Sequence, residues 1–161
     1  MAMAETEILN DIRRLYPDKV REAFNLLGDD VLVTEAQCFL DLARGLRDKP
    51  LNYTLLLDVT CVDYLAARSC MEMVYTFYAL DKRHRLRVKV PLPAGECIVP
   101  SLTSLWKNAA WLEREVYDLF GVRFEGHPDL RRLMLYDGFE GHPLRKEYPL
   151  RKRQPPVPSR K

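Results

Sequence analysis

Apolar positions along the chain recur with two periods, and each change of period marks an element. Ile8, Leu9, Ile12, Leu15 and Tyr16 fall on one helical face and stop at Pro17, which predicts a short opening helix. Val31 to Val33 reads as a strand, and Thr34 is expected to cap a helix over Glu35 to Leu46. Its stripe is Phe39, Leu42, Ala43 and Leu46, broken by Asp48, Lys49 and Pro50. Three extended segments follow: Thr54 to Tyr64, Met71 to Leu80 and His84 to Val90. The connection Asp81 to Arg83 is of hairpin length, so the last two should pair antiparallel. In the third, Leu86, Val88 and Val90 alternate with Arg85, Arg87 and Lys89, one face for the core and one for water or a charged partner.

Pro91, Pro93, Gly95 and Pro100 punctuate a connection, after which Ser101 or Thr103 is expected to open a helical region running through Trp106 and Trp111. Leu112, Val116, Leu119 and Phe120 continue a helical face, and Gly121 stands where a left-handed cap belongs. Arg114 and Asp118 are four apart and should pair on the exposed side. Beyond Phe124 the periodicity vanishes. Pro149, Pro155, Pro156 and Pro158 then predict an extended tail, whose backbone must find its hydrogen bonds in solvent or on a partner.

A length of 161 residues, 47% hydrophobic and 30% charged, fits one ordinary domain and excludes disordered or fibrous classes. The densest apolar stretch, Tyr53 to Ala67, is broken by Thr54, Asp58, Thr60, Asp63 and Tyr64, too polar for a spanning helix. Met1 to Leu9 carries Glu5 and Glu7 and resembles neither a secretory leader nor a transit peptide, so a cytosolic start is expected. Cys38, Cys61, Cys70 and Cys97 form no CxxC pair and have no histidine at zinc spacing; free thiols are expected, with no metal site. The net charge of +2 is unevenly spread. Leu144 to Lys161 holds seven basic residues against Glu147 alone, a basic tail on a mildly acidic body.

No GxGxxG, GxxxxGK, GxSxG or HExxH is present, which removes the common nucleotide and hydrolase signatures. Instead Phe124-Glu125-Gly126-His127-Pro128 recurs as Phe139-Glu140-Gly141-His142-Pro143, each copy followed by leucine and basic residues. The repeat predicts two glycine-permitted bends that each present a histidine and a basic fork. Three functions compete for it. His127 and His142 with Glu113, Glu115 or Asp118 are materials for acid–base chemistry or metal binding. Arg85, Arg87, Lys89 and the tail could meet nucleic-acid phosphates, against which stand the near-neutral charge and the absence of a recognisable module. Arginine forks interleaved with Phe, Tyr and Leu on an aperiodic segment are interface materials, and a protein partner is the preferred reading.

The run from Ala110 to Arg132, AWLEREVYDLFGVRFEGHPDLRR, strongly resembles the signature of the C-type subunit of proton-pumping NADH-quinone oxidoreductase, respiratory complex I. Gly141 to Leu150 resembles that family's closing motif, and Leu57 to Tyr64 its central strand. Phe139 stands where the family often has Trp, and Glu147 where Asp is usual. The resemblance implies an α/β (α+β) fold: a mixed, largely antiparallel sheet with flanking helices over 1–125, then an extended basic segment, 126–161, packed on a partner. It implies a non-catalytic structural subunit of the hydrophilic arm, peripheral on the cytoplasmic face of the membrane. Flavin, iron–sulfur clusters and quinone would belong to neighbouring subunits. The D-type subunit of complex I is the chief expected partner, with other hydrophilic-arm subunits; nucleic acid is not, and the membrane is reached only through the complex.

Within that resemblance, Glu113, Arg114, Glu115, Tyr117, Asp118, Gly121, Phe124, Gly126, His127 and Pro128 are expected to fix the junction of helix and tail. Arg131, Arg132, His142, Leu144, Arg145, Lys146, Tyr148 and Arg151 are expected at the partner interface. Charge reversal at Arg145 with Lys146 should then weaken assembly while leaving the domain folded. The alternatives are a stand-alone small enzyme using His127 with a carboxylate, or the equivalent subunit of a plastoquinone-reducing or membrane-bound hydrogenase complex.

Overall fold

The computed structural model describes residues 6–64, 69–93, 95 and 97–155. Readings that fall on 1–5, on 65–68 or on 156–161 (the start of the chain, the end of the densest apolar stretch and the end of the basic tail) lie outside the described residues.

Helix α1, Glu7–Leu15, forms as its stripe predicts; Thr6 caps it by accepting the N–H of Leu9, and Leu9 and Ile12 are buried. Strands β1 (Glu22–Leu26) and β2 (Asp29–Val33) make a hairpin that periodicity does not announce. Its two-residue turn, Leu27-Gly28, has φ of 53° and 93°, the left-handed pair that suits the twist of a tight hairpin. Helix α2, Ala36–Arg47, buries Phe39, Leu42, Ala43 and Leu46 as expected. Thr34, however, is not its cap: the hydroxyl donates to the Lys19 carbonyl at 2.6 Å, stitching the loop before β1 to the end of β2. No side chain caps α2.

Strands β3 (Leu55–Asp63), β4 (Cys70–Ala79) and β5 (His84–Pro93) complete a five-stranded sheet of order β1-β2-β5-β4-β3. Only β2–β5 is parallel, so the sheet is mixed and largely antiparallel. β5 runs past Val90 through Pro91 to Pro93. β2 has no partner on it beyond Lys89, so a missing proline N–H there costs no ladder bond on that side. Two three-residue strands, β6 (Ile98–Pro100) and β7 (Arg123–Glu125), pair in parallel. They are too short to carry a period.

The core lies on one face of the large sheet, where Met71, Met73, Tyr75, Phe77, Leu86, Val88 and Val90 are buried. Phe39 of α2 packs on Tyr75 at 4.3 Å between ring centroids, and Trp106 on Phe77 at 5.0 Å. The other face carries the predicted cations, neutralised across strands by Arg87–Asp29 at 2.7 Å and Lys89–Glu72 at 2.8 Å. The Tyr75 hydroxyl is buried without a hydrogen-bond partner. Tyr75→Phe should therefore raise stability by about 1 kcal/mol, read as a higher urea midpoint at unchanged slope.

Helix α3, Ala109–Phe120, begins later than expected. Ser101 and Thr103 do not open it. Ser101 instead donates to the Glu113 carboxylate at 2.7 Å and accepts the N–H of Thr103, while turns at Trp106 and Lys107 lead into the helix. The anticipated Arg114–Asp118 pair is absent for a reason that defines the next site: both side chains are drawn onto the segment that follows β7.

Candidate interaction site

Beyond Glu125 no helix or strand forms among the described residues, yet residues 127–146 stay on their own domain. Residues 127–145 lie as a strap along α3. Ala110, Arg114 and Asp118, spaced by four, make a single stripe on the helix, and the strap is pinned at each of them. His127 Nδ1 accepts the Asp129 N–H at 3.0 Å, which leaves its Nε2–H to donate to the Ala110 carbonyl at 3.1 Å. Arg114 donates to the carbonyls of Arg131 and Arg132 at 3.1 and 3.0 Å.

Asp118 is the strongest pin. Its Oδ2 accepts the N–H groups of Leu133, Met134 and Leu135 at 3.0, 2.8 and 2.8 Å, and its Oδ1 accepts Arg132 Nη1 at 2.7 Å. Burial of this fully enclosed carboxyl works to raise its pKa, but the three amides and the guanidinium outweigh it and hold it below the ordinary carboxylate range. An anion with four donors is satisfied without water.

The second copy of the repeat closes the far end of the helix. A helix leaves its last carbonyls without partners inside it. Here Gly121 N–H, His142 Nδ1, Leu144 N–H and Arg145 Nε donate to the carbonyls of Tyr117, Asp118, Leu119 and Phe120 at 2.9, 2.9, 3.1 and 2.6 Å. The Arg145 cation also sits at the negative end of the helix. Gly121 has φ of 75°, and a Cβ there would come within 2.6 Å of the His142 ring, so the cap and the close approach both require glycine. Burial first, then the charges of Arg145 and Arg132, hold the His142 pKa below its ordinary value.

The two histidines of the repeat thus dock on opposite ends of one helix. Gly126 and Gly141 supply the bends, with φ of 82° and 93°. Phe124 is buried in β7 and Pro128 is exposed. Glu113 faces inward, its carboxylate accepting Ser101 Oγ and the Leu102 N–H, both at 2.7 Å; burial pushes its pKa up to about 7. Glu115 is exposed, and Tyr117 meets the His142 ring edge-on.

The expected interface residues divide into two sets. Arg132, His142, Leu144 and Arg145 bind α3, and Tyr148 stacks on Phe139 at 6.1 Å between centroids. Arg131 is exposed beside Asp129, and the side chains of Lys146 and Arg151 are exposed and form no ion pair among the described residues. The backbone of Lys146 is anchored, its N–H donating to Asp63 at 2.8 Å. The expectation that this backbone must be satisfied by solvent or a partner is corrected for the segment from His127 to Lys146: Asp118 and the Leu119 carbonyl of α3 and Asp63 of β3 accept N–H groups from it, and Arg114 donates to two of its carbonyls. Charge reversal at Arg145 would accordingly disturb the helix end as well as any interface.

One further polar cluster escaped the sequence. Asp30 accepts from Thr6, Asn25 and His84, and the other ring nitrogen of His84 meets the Tyr53 hydroxyl at 2.7 Å. The group is closed on itself. Among the described residues no three His, Cys, Asp or Glu side chains are grouped to hold a metal ion, and no helix is long and apolar enough to cross a membrane.

Comparison with known proteins extends the picture. The model of the family described as respiratory-chain NADH dehydrogenase, 30 Kd subunit, matches residues 32–154. A protein of Geobacter sulfurreducens, named as the C-type subunit of NADH-quinone oxidoreductase, is 46% identical over 140 residues, 86% of each chain. Its namesake in Trichlorobacter lovleyi is 49% identical over 124 residues, 76% of each. Among solved structures, a trypsin-resistant fragment of Nqo5 aligns with TM-score 0.64 and 32% identity, covering 76% of this chain and 96% of the fragment. A chain of a membrane-bound sulfane sulfur reductase, an archaeal respiratory membrane complex, aligns with TM-score 0.78 and 25% identity, over 89% and 85%.

Proposed function

This chain belongs to the family of the 30 Kd subunit of respiratory-chain NADH dehydrogenase, and we propose that it serves there as a docking subunit and not as a redox centre. It is a peripheral subunit of NADH-quinone oxidoreductase, the complex that carries electrons from NADH to quinone. In this proposal the flavin, the iron–sulfur clusters and the quinone are held by neighbours, and the chain sits on the cytoplasmic face of the membrane with the D-type subunit as its main partner. The employment of its residues supports this. The histidines of the repeat spend their hydrogen bonds on backbone groups, and the cysteines are scattered, Cys61 being buried with its thiol pushed up to about 12 chiefly by that burial.

The observation that carries the proposal is the division of the tail's cations. Arg132 and Arg145, next to α3, are consumed in fixing the strap, while Lys146, on an anchored amide, and Arg151 are exposed and form no ion pair among the described residues. Exposed cations left unpaired within the chain suit an acidic protein surface better than solvent alone. The stand-alone enzyme has less behind it: His127 has both ring nitrogens engaged and no carboxylate on its Nε2.

The test is Lys146→Glu with Arg151→Glu, purified from native membranes. Recovery of the D-type subunit with the double variant should fall at least ten-fold, while the thermal midpoint of the isolated chain stays put. Recovery at the wild-type level would overturn the assignment.

A further inference from the structure

Trp111 is 61% exposed and Met134 64%, whereas the chain's other tryptophan, Trp106, is 5% exposed. Neither exposed side chain belongs to a loose loop. The Arg114 guanidinium lies over the Trp111 ring at 5.1 Å, and Arg114 is itself fixed by two strap carbonyls. The backbone of Met134 is held by the Asp118 carboxylate. Trp111 and Asp118 are seven residues apart on α3, hence on nearly the same face and about 10 Å apart along the axis. Trp111 and the strap residue pinned at Asp118 therefore fit within one ordinary protein footprint.

We propose that Trp111, Arg114 and Met134 form a second docking surface, seated in an apolar, acid-rimmed pocket of a neighbouring subunit of the complex. This rests on the proposed docking function and adds a surface distinct from Lys146 and Arg151. Three features argue for it. An exposed tryptophan, methionine and arginine are the residue types that dominate interface energetics. Arg114, which lies over the Trp111 ring, and the backbone of Met134 are fixed before any partner arrives, which lowers the ordering entropy that opposes binding. The charges around Trp111 are positive on balance: Lys107 four residues before it and Arg114 three after, against Glu115, while Arg131 and Asp129 on the strap pair with each other. A pocket with an acidic rim complements that set. A bare apolar membrane surface does not use it, and a nucleic acid would be met by Glu115 as well as by the cations.

Oxidative footprinting of the intact complex reads this surface without altering the fold. Trp111 and Met134 should be modified at least ten-fold more slowly in the purified complex than in the free chain; equal rates in both would overturn the proposal. Trp111→Glu provides the second measurement, with Trp111→Phe as the conservative control. The glutamate variant should lose at least ten-fold in co-purification with its neighbours and the phenylalanine variant less than three-fold, with unchanged trypsin cleavage of the strap in both. If Trp111→Glu assembles normally while the Lys146 and Arg151 double variant does not, this surface is wrong and the docking function stands. If both assemble normally, the docking function falls with it.

Discussion

Asp118→Ala is expected to release the strap from α3 and to destabilise the chain by about 3–5 kcal/mol, the range for removing one partner from a buried, hydrogen-bonded charge pair. The substitution leaves Arg132 and the N–H groups of Leu133, Met134 and Leu135 facing a void where a carboxylate had satisfied them all. Each unsatisfied buried donor adds to the cost, and the strap can recover them only by leaving the helix for water. Asp118→Asn fills the space and still fails in part, because its amide presents a second donor to a nest of donors. The sign with pH is fixed by the depressed pKa: the stabilisation is present above the ordinary aspartate value and is lost as pH falls through the lower folded value, so neutral buffer shows the whole effect. Urea unfolding at pH 7 measures it. Trypsin provides the local readout, since Arg131 and Arg132 precede the pinned amides; cleavage there should accelerate in Asp118→Ala before the core strands are touched. A variant with wild-type midpoint and cleavage pattern would show that the strap is held elsewhere.

The same contacts show which parts of the molecule local sequence can reveal. Helices α1 and α2 and strands β3 to β5 are legible because each buries one face against the sheet or the helices, and burial writes a period of 3.6 or 2 into the sequence. β1, β6 and β7 are short and leave too few positions for a period; the Leu27-Gly28 turn is the available sign of the first. Thr34 and Ser101 depart from their expected capping roles for one cause. A hydroxyl before a helix satisfies whichever partner tertiary structure brings nearest, here the Lys19 carbonyl and the Glu113 carboxylate. Arg114 and Asp118 have the spacing of a surface pair, worth only about 0.3–0.5 kcal/mol, and the strap offers both of them better partners. Nothing local encodes that the Lys146 amide ends on Asp63, 83 residues earlier. The repeated pentapeptide is the visible trace of the site, since a helix with two ends to be bound calls for the same bend twice.

Glu113→Gln should remove a pH dependence that the wild-type chain carries through neutrality. Glu113 is fully buried beside Ser101 and Leu102, and burial lifts its pKa from 4.5 to about 7 against the opposing pull of those two donors. A carboxyl that holds its proton more tightly folded than unfolded stabilises the fold most at low pH, where both states are protonated. That advantage declines between about pH 4.5 and 7 as the unfolded chain ionises first. The displacement of the pKa corresponds to roughly 3 kcal/mol across the window at about 1.4 kcal/mol for each pH unit. Two other groups need separating from it. His142 has its pKa lowered by burial, so it stabilises as pH rises towards its ordinary value, the opposite sign; Asp118 acts only in acid, below the window. Both remain in the variant, so the difference between wild type and Glu113→Gln isolates Glu113. Glutamine keeps an acceptor for the Leu102 N–H, and its amide can donate to Ser101 Oγ, which retains the tie between α3 and the segment after β6. At pH 5 the two proteins should differ little, and by pH 8 the glutamine variant should be the more stable by about 2–3 kcal/mol. Urea midpoints measured at unit intervals from pH 5 to 8 decide it: a difference that stays constant over that range would mean that Glu113 remains ionised, and that its two donors outweigh its burial.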